Sequence, residues 1–211
     1  SAGLTNAIYT WTLPDNSVVV ADSITVSDAG TYLVTVKDDA KCSVDQSVLV
    51  IAVPLPTQSA AGPDQLVCEA NSALEGNVPV IGIGTWTLVS GTGSIAQVNS
   101  PTSAISNLSV GDNVFRWAIL NGSDCLSEDT VIITRLQEPD VALAIADFQV
   151  CDTVALISAN APVVGIGSWS LVSGSGNILD PNLENTSITG LGSGATVVRW
   201  TISNGICPPS S

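Results

Sequence analysis

Histidine and methionine are absent from this 211-residue sequence, and lysine and arginine together number five. Without histidine the chain has neither a Ser-His-Asp triad nor a Cys-His pair, the arrangements that activate serine and cysteine nucleophiles. No two acidic residues stand out as a glycosidase-type pair of carboxylates. We therefore expect a protein that is not an enzyme.

Positive charge is scarce, because five basic residues are set against nineteen acidic ones and the formal net charge is -14. Nucleic acids and anionic membranes are bound by basic surfaces that neutralise phosphate. We therefore expect neither a nucleic-acid partner nor direct membrane insertion. An acidic surface is suited instead to binding cations or to solubility. Neither a signal peptide nor a membrane-spanning run is visible, which predicts a soluble piece of a longer chain.

One stretch occurs twice and organises the remainder of the sequence. Residues 81–93 return as residues 164–176, so that Trp86 matches Trp169 at an offset of 83 residues. The same offset relates Cys68 to Cys151, Arg116 to Arg199 and Trp117 to Trp200, while Cys125 and Cys207 lie 82 residues apart. A period held over such unlike positions predicts a tandem array of one structural unit.

Three units follow from this period and from two linkers. A linker with three prolines covers residues 54–63, and a shorter linker covers residues 136–140. We predict the C-terminal part of a diverged repeat at 1–53 and a complete repeat with its N-terminal linker at 54–136. A third repeat that lacks its last strand is predicted at 137–211.

Serine, threonine, glycine and valine dominate the composition, which is typical of β-sheets joined by tight turns. Alternation places Trp86, Trp117, Trp169 and Trp200 on the same strand faces as leucine and isoleucine, so we expect these tryptophans in the core. A sugar-stacking platform is the alternative reading of the same four side chains. The strands predicted for the middle repeat are 65–69, 72–76, 84–89, 94–98, 104–108, 114–120 and 129–135.

The five cysteines lack Cys-x-x-Cys spacing, which favours disulfides over a metal site. We predict two bonds within repeats, Cys68 with Cys125 and Cys151 with Cys207. Each would close a loop of nearly sixty residues and contribute about 4 kcal/mol on the chain-entropy model. Cys42 lies in register with Cys125, and its partner is not identified. Disulfides indicate a location outside the cytoplasm.

A family resemblance rests on several short motifs. Asp28-Ala29-Gly30-Thr31-Tyr32 resembles the tyrosine corner of immunoglobulin-like sandwiches, in which the phenol hydroxyl ties down the preceding loop. The motifs at 61–68, 84–86, 90–93 and 115–117 resemble the immunoglobulin-like or PKD-like repeats of giant surface proteins from gliding Bacteroidetes. This resemblance implies an all-β fold of tandem immunoglobulin-like β-sandwiches in a rod-like array, with Tyr32 in a core. It also implies adhesins or fibrous surface layers that the type IX secretion system exports to the cell surface.

The same resemblance implies O-glycosylation at Asp-Ser or Asp-Thr followed by an apolar residue. Ser23, Thr130 and Thr153 stand in that tripeptide pattern. We expect at least one of these hydroxyls to carry a glycan in the native protein.

Acidic residues near the linkers suggest structural calcium as a separate hypothesis. Asp64 and Asp147 lie at the openings of their repeats, and Asp140 lies in the second linker. Carboxylates that converge at a domain junction can bind calcium and stiffen an array of repeats. No Asp-x-Asp-x-Asp loop is present, and no other cofactor is expected.

These observations together predict a structural stalk segment of an extracellular adhesin or surface filament, a mechanical spacer stapled by disulfides within repeats. The expected partners are further repeats of the same chain, surface glycans and homotypic filament contacts. Two alternatives stay open. One is a carbohydrate-binding module, and the other is a self-assembling filament subunit that receives a strand in trans.

Overall fold

The computed structural model of the chain describes residues 7–39 and 42–211. Within these residues every regular element is a β-strand, so the all-β fold class is confirmed. The chain forms two compact units, Ser1–Leu55 and Pro56–Ser211. The second unit contains both the middle and the third repeat, and the boundary between those repeats at residue 136 stays a prediction.

The first unit is one antiparallel sheet with the strand order β2-β1-β3-β4. Tyr32 is buried, and its hydroxyl donates a hydrogen bond of 2.9 Å to the Asp28 carbonyl, which is the geometry of a tyrosine corner.

In the turn after β1, the hydroxyl and the amide of Ser17 donate to Asp15 and lower the pKa of its carboxyl. The strands are β1 Ile8–Thr12, β2 Val18–Val20, β3 Gly30–Lys37 and β4 Ser43–Val50.

The middle repeat consists of two sheets, and all seven strands predicted from the sequence are present. One sheet has the order β5-β11-β10-β7 and the other has the order β6-β9-β8. All pairs are antiparallel except β11 with β5. The strands are β5 Gln65–Val67, β6 Ser72–Ala73, β7 Ile83–Ser90, β8 Ser94–Ile95, β9 Ala104–Ser106, β10 Gly111–Asn121 and β11 Cys125–Arg135.

A pair of tryptophans lies at the centre of the middle repeat. Trp86 on β7 and Trp117 on β10 are opposite each other in the register, and their ring centroids are 4.9 Å apart. Ile105 on β9 and Leu108 pack against them from the second sheet. Because both sheets bury their inner faces in one core, the repeat is an immunoglobulin-like β-sandwich.

The third repeat has the same plan. Trp169 and Trp200 are opposite each other with ring centroids 5.2 Å apart, and they share a core with residues of the second sheet. Ile202 and Ser210 exchange two backbone hydrogen bonds, in the register that Ile119 has with Ser127. The strands are β12 Val154–Ser158, β13 Ile166–Ser173, β14 Asn177–Ile178, β15 Asn185–Thr189 and β16 Val197–Ser203.

The repeated glycine before each Thr-Trp or Ser-Trp pair has a packing role. A Cβ atom added to Gly84 would lie 2.1 Å from Cζ2 of Trp117, and one added to Gly167 would lie 2.0 Å from Cζ2 of Trp200. Distances this short are incompatible with van der Waals contact. The glycines therefore let the backbone of β7 and of β13 lie directly against an indole ring.

We predict that Gly84→Ala lowers the free energy of unfolding by about 1–3 kcal/mol, because the added methyl group displaces the Trp117 ring. Val89→Ala is the matched control, since Val89 lies on the same strand and is half exposed. Urea denaturation followed by tryptophan fluorescence measures both changes. Equal midpoints for the two variants would contradict this packing role.

Candidate functional site

The junction between the middle and third repeats is closed by a disulfide. Cys68, directly after β5, is bonded to Cys207, which follows β16, and their Cα atoms are 5.2 Å apart. The two residues are separated by 139 positions in the sequence. The bond therefore joins one repeat to the next rather than two strands of one repeat.

The predicted pairs Cys68–Cys125 and Cys151–Cys207 are therefore wrong. Strand β11 begins at Cys125 and ends at Arg135, whose guanidinium Nε donates to the Cys68 carbonyl at 3.1 Å. Ten steps of an extended strand separate the two ends by ~34 Å, whereas the Cα atoms of a disulfide lie within about 7 Å. The cysteines of the middle repeat thus lie at opposite ends of the sandwich.

The cysteines of the third repeat are separated in the same way. Cys151 precedes β12, where the Thr153 carbonyl accepts a hydrogen bond from the amide of Leu191, in the loop that leads to the beginning of β16. Cys207 lies beyond the other end of β16. Cys125 and Cys151 are free thiols, and so is Cys42.

The short linker at the junction is bound by both repeats. The amide of Leu136 donates to the Val67 carbonyl at 2.8 Å, which ties the linker to the middle repeat. From the third repeat, the side-chain amide of Asn204 donates a hydrogen bond of 2.7 Å to the Gln137 carbonyl. A Cβ added to Gly205 would lie 2.5 Å from Cδ1 of Leu136, so the leucine side chain packs directly on this glycine.

Arg135 supplies the positive charge at the junction. Besides its bond to the Cys68 carbonyl, it donates from Nη1 to the Leu108 carbonyl at 2.9 Å. A guanidinium has several donors in a fixed plane and can bind two carbonyls at once. Arg135 therefore fixes the loop that carries Cys68.

The segment that enters each of these two repeats is also fixed by an asparagine. Asn77 donates to the Gln58 carbonyl and accepts from the Ala60 amide. Asn160, 83 residues later, makes the same two bonds to residues 141 and 143. These asparagines were not predicted as functional residues, although their offset matches the period of the repeat.

The three candidate calcium ligands do not come together. The Asp64 carboxylate accepts from the Ile132 amide at 2.8 Å, and the Asp140 carboxylate accepts from the amides of Val163 and Val164. Asp147 lies at a groove beside β16. Across residues 7–39 and 42–211 there is no group of three or more His, Cys, Asp or Glu side chains placed to hold a metal. Structural calcium stays a prediction.

The structure places the predicted core aromatics inside the sandwiches. Trp86, Trp117, Trp169 and Trp200 are at most 4% exposed, and Tyr32 is 3% exposed. The indole nitrogens of Trp86 and Trp169 donate to backbone carbonyls of their own repeats. These tryptophans are not presented as a sugar-stacking platform.

The three candidate glycosylation sites are accessible. Ser23 lies after β2, Thr130 on β11, and Thr153 just before β12, and all three are exposed. Modification of these hydroxyls stays a prediction.

No protein-family model matches the chain, and no curated protein matches it. Among solved structures it is similar to Sidekick-1 immunoglobulin domains 1–5, with 14% identity over 97% of this chain and 53% of that chain, and a TM-score of 0.45. It is also similar to a complex of Dpr2 Ig1-Ig2 with DIP-Theta Ig1-Ig3, with 12% identity over 99% of this chain and 88% of that chain, and a TM-score of 0.35. Domains 1–6 of the surface layer protein SbsC match with 15% identity over 100% of this chain and 33% of that chain, and a TM-score of 0.32.

We assign the immunoglobulin-like fold from the sheets and the two cores of the chain itself. The part of the chain that the structure describes contains no helix of the length and apolar character needed to cross a membrane.

We predict that Cys207→Ser lowers the free energy of unfolding of residues 56–211 by up to about 5 kcal/mol, because the 139-residue loop is no longer closed in the unfolded chain. Cys151→Ser is the control, since it removes an exposed thiol that makes no bond here. Guanidinium denaturation without reductant measures both variants, and wild type in reductant should match Cys207→Ser. An unchanged midpoint in Cys207→Ser would contradict the bond.

Proposed function

We propose that this chain is a segment of an extracellular stalk, a mechanical spacer within an adhesin or surface filament. The single observation that supports this proposal is the disulfide across the junction, Cys68–Cys207. A spacer must transmit tension from one domain to the next. A covalent bond between neighbouring repeats supplies that connection without relying on the linker alone.

The position of the bond determines how load travels through the second unit. Tension that enters at residue 56 reaches Cys68, crosses to Cys207 and continues into the chain that follows Cys207. Residues 69–206 lie inside the closed loop and are not stretched. Both tryptophan pairs and the linker at 136–140 lie inside this loop, so the strands that carry them are shielded from extension.

The cellular setting of the proposal rests on the sequence resemblance. It assigns the segment to a giant surface protein of a gliding Bacteroidetes bacterium, exported by the type IX secretion system. A disulfide fits an oxidising location such as the cell surface. The partners proposed are further repeats of the same chain, with surface glycans or homotypic contacts engaged elsewhere in the protein. The role proposed is not catalytic.

Force spectroscopy on the full chain with a handle at each terminus tests the spacer mechanism. A closed loop of 139 residues should hide roughly 480 Å of contour length, at about 3.3–3.6 Å for each residue. We expect unfolding of residues 56–211 to release only a short length in the oxidised wild type. The Cys207→Ser variant should release that hidden length in addition.

Cys151→Ser serves as the control and should extend like the wild type. Two bonds within repeats would leave the second linker extensible and would give roughly 90 Å more than the junction bond. An oxidised wild type that extends as far as Cys207→Ser would overturn the proposal.

Strand addition is a second candidate function, favoured by a groove beside β16. The groove has a volume of about 730 Å³ and lies between residues 145–150 and the first residues of β16. In the middle repeat β11 lies in the corresponding place, between β5 and β10. Val131 and Ile133 of β11 point into the core there and are almost fully buried. A strand with that alternation, donated by another copy, fits the groove.

A peptide with the sequence of residues 129–135 tests strand addition on the full chain. We expect saturable binding, seen as a change in tryptophan fluorescence, because Trp169 lines the groove. A scrambled peptide of the same composition loses the alternation and should not bind. Equal responses to the two peptides would contradict strand addition and would leave the spacer proposal unaffected.

A further inference from the structure

The cysteines of the repeats are of two kinds, which differ in their position within the repeat. We call Cys68 and Cys151 opening cysteines, because each stands near the first strands of its repeat. We call Cys42, Cys125 and Cys207 hairpin cysteines. Each follows one long strand of its repeat, which is β3 for Cys42, β10 for Cys125 and β16 for Cys207. Repeat offsets of 82 to 83 residues relate the members of each kind.

Opening and hairpin cysteines lie at opposite ends of a repeat. In the middle repeat the length of β11 separates them, and in the third repeat β16 does so. A bond within one repeat is therefore excluded by distance. The bond that exists, Cys68–Cys207, joins the opening cysteine of one repeat to the hairpin cysteine of the following repeat.

The loop of the unbonded Cys151 shares one backbone contact with the loop of the bonded Cys68. The loop of Cys151 is held by a hydrogen bond from the Leu191 amide to the Thr153 carbonyl. The loop of Cys68 is held by the equivalent bond from Leu108 to Ala70, and both bonds measure 3.0 Å. Cys151 is exposed, so its thiol is accessible at the end of the third repeat. Cys151 is thus placed to form a disulfide with the hairpin cysteine of another repeat, as Cys68 does with Cys207.

We propose that Cys151 and Cys125 are half-sites for further disulfides between repeats, with the polarity of Cys68–Cys207. Cys151 bonds the hairpin cysteine of a repeat stacked on the far end of the third repeat. Cys125 bonds the opening cysteine of a repeat stacked on the hairpin end of the middle repeat. The occupant in both cases is a repeat of this kind, and the array is a ladder with one disulfide at each junction.

The bond forms by two thiol–disulfide exchanges with a small-molecule or protein disulfide as the oxidant. The first cysteine thiolate attacks a sulfur of the oxidant, which forms a mixed disulfide and releases one oxidant thiolate. The thiolate of the second cysteine attacks the protein sulfur and releases the other. The two cysteines lose two electrons and two protons, and the oxidant disulfide is reduced to two thiols.

Disulfide mapping of the native protein, isolated from its source without reductant and with an alkylating agent present, tests the ladder. We expect the Cys151 peptide linked to a hairpin-cysteine peptide and the Cys125 peptide linked to an opening-cysteine peptide. Neither cysteine should carry the alkyl label. In a Cys151→Ser variant the hairpin cysteine that it bonds should become labelled, while Cys68 stays protected.

The mass of the denatured protein distinguishes two sources of the partner repeat. An unchanged mass on reduction places both repeats in one polypeptide, and a lower mass places them in separate copies; either result supports the ladder. Alkylated Cys125 and Cys151 would overturn it. A bond between two opening cysteines, or a bond between Cys125 and Cys151 with no change in mass on reduction, would overturn it as well.

Discussion

The length of the paired strands β10 and β11 controls the arrangement of this protein. Each is eleven residues long, and together they run the full length of the middle sandwich. Cys125 lies in the hairpin that joins them, at one end of the sandwich. Cys68 lies beside Arg135, at the opposite end of the sandwich. Because the two thiols cannot meet, the opening cysteine is available only to a neighbouring repeat. The covalent link between Cys68 and Cys207 follows from this separation.

The tryptophan pairs make the repeats equivalent enough for such a link to recur. Trp86 with Trp117 and Trp169 with Trp200 occupy matching places in the two sandwiches, each beside a glycine that allows close approach of the backbone. Similar packing at the centre places the ends of the strands at equivalent points. The loops, the cysteines and the asparagines Asn77 and Asn160 then lie at matching positions.

The strands and the core were predictable from the sequence, whereas the disulfide was not. Alternation around Trp86 and Trp117 depends only on local periodicity, and the structure has the strands where that pattern predicts them. Disulfide connectivity depends on which ends of the fold meet, and the positions of the cysteines in the sequence do not determine it. The strand predicted at 129–135 already indicated that Cys125 and Cys68 lie at opposite ends of the repeat, since it runs away from Cys125. Asn113 was also missed: it is fully buried and bonds five groups, but a single asparagine in a strand has no distinctive pattern.

The cysteine connectivity of the purified 211-residue chain tests the account most directly. Digestion without reduction, followed by mass spectrometry of the linked peptides, identifies which cysteine is bonded to Cys68. We predict that the peptide of Cys68 is joined to that of Cys207. Peptides that join Cys68 to Cys125 and Cys151 to Cys207 would show bonds within repeats and would contradict it.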